Sequence, residues 1–170
     1  PDDLEIFAYG FLAAASSRGD NLILGVATEG AAGGVNQGAE LARQRADEAR
    51  NGLSALGTPT LLDLPDGQLA DAPNARNRIR DFIRNAAPDL VITHAPEDYH
   101  PDHRALSAYV RDAAGFICPV LFCDTLMGVG FTPDYYVDIT PHFAAKQNAI
   151  MAHHSQDPSR FASASAIMNR

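Results

Sequence analysis

The chain has 170 residues, enough for one domain with a sizeable core, and its 46% apolar and 20% charged residues are typical of a globular protein. A net charge of −8 and a pI near 5.0 argue against a nucleic-acid partner, because phosphate-backbone binding needs clustered Lys and Arg. No apolar run reaches the roughly 18 residues of a membrane span, and no signal peptide is visible. The two cysteines, Cys118 and Cys123, indicate buried thiols in a reducing compartment, so we expect a cytoplasmic protein.

Helix-like and strand-like segments alternate along the chain. Helices are predicted where apolar residues or good helix formers recur at helical spacing, and strands where short apolar runs lie between turn signals. In chain order the predicted elements are helix 4–17, strand 21–28, helix 39–56, strand 59–64, helix 73–86, strand 89–94, helix 101–114, strand 119–124, a fifth strand 135–139 and helix 141–153. This order predicts an α/β, Rossmann-like fold with a mainly parallel sheet and helices on both faces.

Single residues mark the expected ends of these elements. Gly57 is expected to close the second helix, and Pro141 to open the last one. Because the sequence begins at Pro1 rather than Met, we expect one domain over residues 1–170 whose N-terminal strand and C-terminal end lie outside it. Residues 161–170 are then expected to stop within a helix or a loop.

Polar residues follow the predicted strands at their carboxyl ends, where parallel α/β sheets bind ligands. That rule selects three stretches: Thr28 to Gly30, Asp63 to Gly67, and His94 to His103. With a strand ahead of Pro1, Asp2 and Asp3 would lie on the same rim. We therefore expect four polar clusters to converge there.

The stretch from Asp98 to His103 carries the most chemical information. Pro101 predicts a helix start, with His100 at or near the N-cap and His103 one turn later on the same side. Two imidazoles and a carboxylate so close together suit a metal or acid–base cluster. From these residues alone, a polar helix start with surface histidines is an equally good interpretation.

Adjacent carboxylates open the chain. Asp2 and Asp3 precede the first helix, where acids commonly cap the N-terminus and interact with the helix dipole. Taken alone they indicate no more than that. Their meaning changes when they are considered together with the histidines about a hundred residues later.

The paired segments resemble the PIG-L/LmbE-like de-N-acetylases. The resemblance rests on Pro1-Asp-Asp-Leu-Glu-Ile6, on the Thr28-Glu29-Gly30 turn and on Asp98-Tyr-His-Pro-Asp-His103. Other matches follow in the family's order: Arg45 to Glu48, Leu64 to Gly67, Asp89 to His94, Lys146, and His153 to Gln156. Together they cover about residues 1–156. The resemblance implies a zinc-dependent hydrolase that removes an acyl group, usually acetyl, from an amino-sugar-type small molecule.

The family's first motif begins with a histidine, which is expected just before Pro1 and lies outside the sequence. The resemblance implies that this histidine, Asp3 and His103 bind Zn²⁺, with Fe²⁺ as an alternative for the same ligands. It further implies that Asp2 is the general base for a metal-bound water.

Two further roles are expected, that of His100 from the resemblance and that of Asp102 from its closeness in sequence to His100. His100 would stabilise the oxyanion or protonate the leaving amine. Asp102 would orient the ring of His100.

The resemblance also implies substrate-binding roles for three residues, and each has a plainer interpretation. Arg45 would reach the substrate, or else lie on the helix surface paired with an acidic neighbour. Asp66 and Glu29 would accept hydrogen bonds from sugar hydroxyls, although a Pro-Asp-Gly turn favours Asp in any case. His94 is either a buried structural histidine or a residue that supports the metal ligands. Where the family often has glycines, this chain has bulky side chains such as Phe7, whose helical spacing favours a place in the core.

A second class of function stays open. A non-catalytic α/β domain could hold a sugar or a nucleotide at the same rim, although the Gly-rich loop over residues 29–38 lacks the usual phosphate-binding patterns. An inactive family member is a third interpretation, which the joint presence of Asp2, Asp3, His100 and His103 disfavours. The sequence leaves a homo-oligomer open.

Overall fold

The computed structural model describes residues 1–34, 36–126 and 130–169. Over these ranges the elements, in chain order, are α1 (Tyr9–Ser17), β1 (Gly25–Thr28), α2 (Ala39–Gly52), β2 (Thr60–Leu64), α3 (Ala75–Ala86), β3 (Val91–His94), α4 (Pro101–Ala114), β4 (Val120–Cys123), α5 (Phe143–Met151) and α6 (Pro158–Met168). A π-helical turn, Leu4–Ala8, leads into α1, and a 3₁₀ turn, Thr140–His142, leads into α5.

The strands pair in parallel. β1 runs beside β2, with Gly25 opposite Thr60 and an irregularity before Thr28. β3 runs beside β4 in regular register from Val91, opposite Val120, to His94. Each pair is joined by a crossover through a helix, α2 or α4, as parallel neighbours require.

Helices pack on both faces of the strands, which confirms the predicted α/β architecture. One core cluster joins Ala27 of β1 to α3 and α4, and a second joins Leu24, just before β1, to α1, α2 and α5. Gly25 permits the approach of α3, because a Cβ atom there would lie 2.6 Å from the ring of Phe82.

A largely apolar cleft of about 580 Å³ lies between the two strand pairs. Residues of β1 and β3 line it, and Pro1 lies in its wall. Within the described ranges, β1 and β3 each pair with one strand only. The strand expected ahead of Pro1 stays a prediction.

Several predicted boundaries need correction. The fifth strand over 135–139 is wrong: this stretch pairs with no strand among the described residues, and Tyr135 and Tyr136 are 80% and 86% exposed. Strand propensity alone does not make a strand, because the backbone needs a hydrogen-bonded neighbour. The second helix ends at Gly52 rather than near Gly57, with its last turn closed at Leu53.

The C-terminal part is more helical than predicted. Residues 158–168 form α6, whose first turn is capped by the carboxylate of Asp157. Pro141 lies in the 3₁₀ turn ahead of α5 instead of opening that helix. No helix in the described ranges has both the length and the apolar character needed to cross a bilayer.

Candidate active site

The π-helical turn presents the two N-terminal carboxylates. Asp2 and Asp3 lie immediately before it, and the backbone N–H of Ile6 donates to the carbonyl of Asp2 at 3.0 Å. A π turn is wider than an α-helical turn, and Asp3 and Phe7 lie on the same side of it, facing one cavity. The Phe7 ring meets the rings of His94 and His103 edge-on, with centroids 5.6 and 6.1 Å away. Such turns are frequent at functional sites.

The start of α4 presents two histidines, as the sequence predicted. Pro101 occupies the first turn, and His100 is the N-cap residue. Its Nδ1 accepts the backbone N–H of Asp102 at 3.2 Å, which orients the ring. His103 follows one turn later and is buried.

Asp3, His94 and His103 form a group that could hold a metal ion. One donor atom from each lies within 4.8 Å of the others. The Nε2 atoms of His103 and His94 lie 3.3 and 3.9 Å from the Asp3 carboxylate, and the two rings stack at 3.8 Å. Two imidazoles and a carboxylate are the donor set of three-ligand zinc sites that keep a position open. The described residues therefore fit a divalent ion.

His94 is the member of this group that sequence reasoning left undecided. It ends β3, at the carboxyl edge of the sheet, and is buried. Burial lowers its pKa to about 4, so the ring is neutral and keeps a lone pair available for a ligand. This places His94 beside Asp3 and His103 as a third donor.

Asp98 was missed as a functional residue by the sequence analysis. Its Oδ1 lies 3.0 Å from Nδ1 of His103 and accepts the backbone N–H of His100 at 2.9 Å. The side chain is fully buried, so it holds both histidines in place. The signal in the sequence was the Asp-x-His spacing, which is typical of an Asx turn.

Charges around the donor group alter the ionisation of its members. Burial opposes the charged form of His103, yet the contacts and charges of Asp3 and Asp98 raise its pKa to about 10. The same pairing lowers the pKa of Asp3 well below its usual value, although burial acts in the opposite direction. Burial, followed by the nearby charge of Asp3, raises the pKa of Asp2 to about 6.

Arg45 points into the site from α2. Its Nη2 lies 3.3 Å from Oδ1 of Asp2, and the guanidinium also donates to the carbonyls of Gly30 and Pro1. Arg45 is only 6% exposed, so the interpretation as a surface arginine paired with Asp47 or Glu48 is wrong. Its positive charge is instead directed at Asp2.

A cavity of about 200 Å³ joins these elements. The sequence-predicted site residues that line it are Asp2, Asp3, Arg45, Asp66, His100, Asp102 and His103. Glu29 is not among the described lining residues; its Oε1 accepts the backbone N–H of Asp66 at 3.3 Å. The lining also includes residues that the sequence analysis gave no role: Tyr99, Leu126, Gln156 and Phe161.

Asp102 contacts different atoms from those expected. Its carboxylate accepts the backbone N–H groups of Gly67 and Leu69, at 2.7 and 3.0 Å. It therefore ties the turn after β2 to the start of α4. The ring of His100 is oriented by the backbone N–H of Asp102, which corrects the expected role of the side chain.

Known proteins resemble this chain in sequence and in fold. Diacetylchitobiose deacetylase of Thermococcus kodakarensis is 28% identical over 180 residues, which cover 93% of this chain and 67% of that protein. The structure of N,N'-diacetylchitobiose deacetylase from Pyrococcus horikoshii, complexed with its inhibitor MPG, matches with a TM-score of 0.85 and 25% identity over all of this chain and 72% of that one. The conserved protein TT1542 from Thermus thermophilus matches with a TM-score of 0.82 and 26% identity over 98% of this chain and 82% of its own.

A further solved structure, the hydratase GalB from Pseudomonas putida, has a TM-score of 0.84 at 21% identity over 98% of this chain and 79% of that one, and shows the fold alone. The family model for GlcNAc-PI de-N-acetylase, PIG-L, matches residues 1–114. That range runs from the paired carboxylates through the end of α4 and includes His94, His100 and His103. The chain therefore belongs to the PIG-L family of de-N-acetylases, as its motifs predicted.

Proposed function

We propose that this protein is a zinc-dependent hydrolase that removes an N-acyl group, in the first instance acetyl, from a small molecule of the amino-sugar type. The observation that carries the proposal is the convergence of Asp3, His94 and His103, with donor atoms within 4.8 Å of one another, beside the carboxylate of Asp2. Family membership and two relatives named as diacetylchitobiose deacetylases support the reaction and the substrate class. The unpaired thiols of Cys118 and Cys123 support a cytoplasmic location.

Asp3 and His103 would hold the zinc ion, with His94 or the histidine expected before Pro1 as the third ligand. Their donor atoms suit Zn²⁺, and Fe²⁺ is the alternative for the same set. When bound, the ion would polarise the amide carbonyl and lower the pKa of a water molecule from 15.7 toward about 7.

Asp2 would accept the proton of the attacking water. Its carboxylate lines the cavity beside Asp3, and Arg45 holds it from the other side at 3.3 Å. Burial gives Asp2 a raised pKa of about 6, which makes it a stronger base than an exposed aspartate.

His100 would donate a proton or a hydrogen bond. Because its Nδ1 accepts the N–H of Asp102, the neutral ring carries its proton on Nε2. That N–H can stabilise the oxyanion that forms from the amide carbonyl. To protonate the departing amine, the ring would first have to take up a second proton at Nδ1.

The test combines metal analysis with amine release from N-acetylglucosamine and N,N'-diacetylchitobiose. Asp3→Asn and His103→Ala should lose zinc, whereas His100→Ala should keep zinc and lose about 100-fold or more in kcat. His154→Ala changes an exposed histidine and serves as the control. Zinc loss in His100→Ala would overturn the assigned roles. A zinc-loaded wild type that binds these sugars without releasing amine would favour the non-catalytic binding domain.

A further inference from the structure

Two buried glutamates anchor the segment that follows α5. Nε2 of His153 lies 2.9 Å from Oε1 of Glu5, and both side chains are about 1% exposed. Two residues later, the backbone N–H and the hydroxyl of Ser155 both donate to Glu48 of α2, at 2.8 and 2.5 Å. The segment is therefore fixed against both the π turn, which directly follows Asp2 and Asp3, and α2, which carries Arg45.

This anchored segment carries Gln156 into the cavity wall. Its Nε2 donates to the carbonyl of Gly33 at 2.7 Å and to the carbonyl of Ser155 at 3.0 Å. These two contacts use both N–H bonds of the amide and fix its orientation. Within the described ranges no hydrogen bond reaches its Oε1, so a residue of the cavity wall keeps an uncommitted acceptor.

The surroundings of Gly33 define what this acceptor can bind. A Cβ atom at Gly33 would lie 2.3 Å from Nη1 of Arg45 and 3.8 Å from Oδ2 of Asp66, so all three groups share one wall. The guanidinium is already paired with Asp2, and Oδ2 of Asp66 accepts the N–H of Ala32 at 3.0 Å. This wall offers oxygen acceptors and a cation that already has a carboxylate partner. It suits a ligand that supplies hydroxyl groups and carries no negative charge.

We propose that Gln156 is a substrate-binding residue whose Oε1 accepts a hydrogen bond from one hydroxyl of a neutral N-acylated sugar. The inference rests on the proposed function and adds a specific contact to it. The sugar would lie along the wall formed by Gly33, Asp66 and Gln156, while the amide faces Asp2 and His100. A phosphorylated sugar would bind less well, because its charge would meet Asp66 and the Gln156 oxygen.

Steady-state kinetics on Gln156→Ala with N,N'-diacetylchitobiose and a set of its single-deoxy analogues tests this contact. We expect about a tenfold loss of kcat/KM, mainly through KM, which corresponds to one hydrogen bond. The deoxy analogue that lacks the bonded hydroxyl should have the same kcat/KM with the wild type and with Gln156→Ala, because the hydrogen bond cannot form with either enzyme. A 6-phosphorylated N-acetylglucosamine should be a poorer substrate for the wild type than the neutral sugar.

Zinc content and thermal unfolding of Gln156→Ala should match the wild type, and His154→Ala provides the matched control on the same segment. Equal kcat/KM for wild type and Gln156→Ala overturns the inference. So does a loss that is the same for every deoxy analogue, since that pattern indicates a structural role. Calorimetric binding of the same sugars separates the hydrolase proposal from the Gln156 contact. If the wild type binds the sugars with an affinity that depends on Gln156 but releases no amine, only the hydrolase proposal is refuted.

Discussion

Arg45 and Asp2 form a buried ion pair inside the cavity, with Nη2 of the guanidinium 3.3 Å from Oδ1 of the carboxylate. Burial and the charge of Asp3 raise the pKa of Asp2 to about 6, and Arg45 opposes that rise. The carboxylate is thus kept basic without being kept protonated at neutral pH. Helix α2, which carries Arg45, therefore takes part in setting the pKa of Asp2, which lies just before the π turn.

Replacing Arg45 with Met should move the acid side of the pH profile of kcat/KM to higher pH. Loss of the positive charge removes an interaction that favours ionised Asp2, so its pKa rises and a larger fraction is protonated at a given acidic pH. We expect kcat/KM at acidic pH to fall about tenfold or more, since a charged hydrogen bond is lost. Arg43→Met, at an exposed position of the same helix, is the control. An unshifted acid limb would show that the pair does not tune Asp2.

Asp98→Asn should weaken zinc binding at the proposed metal site by about 10- to 100-fold while the fold persists, because the carboxylate that faces Nδ1 of His103 at 3.0 Å is replaced by a neutral amide. Competition with a chelator of known affinity measures the zinc dissociation constant. Glu97→Gln, an exposed neighbour with the same change of charge, is the matched control. Equal dissociation constants for Asp98→Asn and the wild type would rule out a role in orienting His103.

The start of α4 shows what local sequence can predict. Pro101 fixes a helix start, so the positions of His100 and His103 follow from helical geometry. Gln156 could not be placed in this way, because its partner Gly33 is 123 residues away and their meeting depends on how α5 and α2 pack. The same reason hid the contact of the Asp102 carboxylate with Gly67, 35 residues earlier.

Inward-turned polar residues were equally hard to predict. Arg45 has the spacing of a helix surface residue and acidic neighbours within reach, yet it is buried against Asp2. Helical periodicity places a residue on a face, but tertiary packing decides whether that face meets solvent or a cavity. The family resemblance implied that Arg45 reaches the site, but it left the surface interpretation equally open.

Breaking the Glu5–His153 contact should destabilise the protein strongly. His153→Phe leaves a fully buried carboxylate without its partner, and we expect the free energy of unfolding to fall by about 3 kcal/mol or more. Urea unfolding measures this change. The double variant Glu5→Leu with His153→Phe removes both polar groups and should recover part of the loss. If the double variant loses more free energy of unfolding than Glu5→Leu and His153→Phe lose together, the contact is not the cause of the destabilisation.

Lys146 is the chain's single lysine, and it is buried in α5. Its Nζ donates to Oδ1 of Asn169 at 2.5 Å, and among the described residues no carboxylate lies within ion-pair distance. Burial lowers its pKa from 10.5 to about 8. A charged ammonium in this place lowers the stability of the folded state at neutral pH.

Lys146→Met should therefore raise the free energy of unfolding at pH 7, by about 1–3 kcal/mol. In the wild type, the unfolded chain retains the lysine proton between pH 8 and 10.5 while the folded chain has lost it. The contribution of Lys146 to stability should thus rise with pH through this window, against the opposite contribution of the Cys123 thiol, whose pKa burial raises to about 12. Lys146→Met should remove the rise and leave the thiol contribution. Urea unfolding at several pH values measures both effects, with Asn148→Met, an exposed position of the same helix, as control. A loss of stability at pH 7 together with an unchanged slope would show that the ammonium is stabilised where it lies.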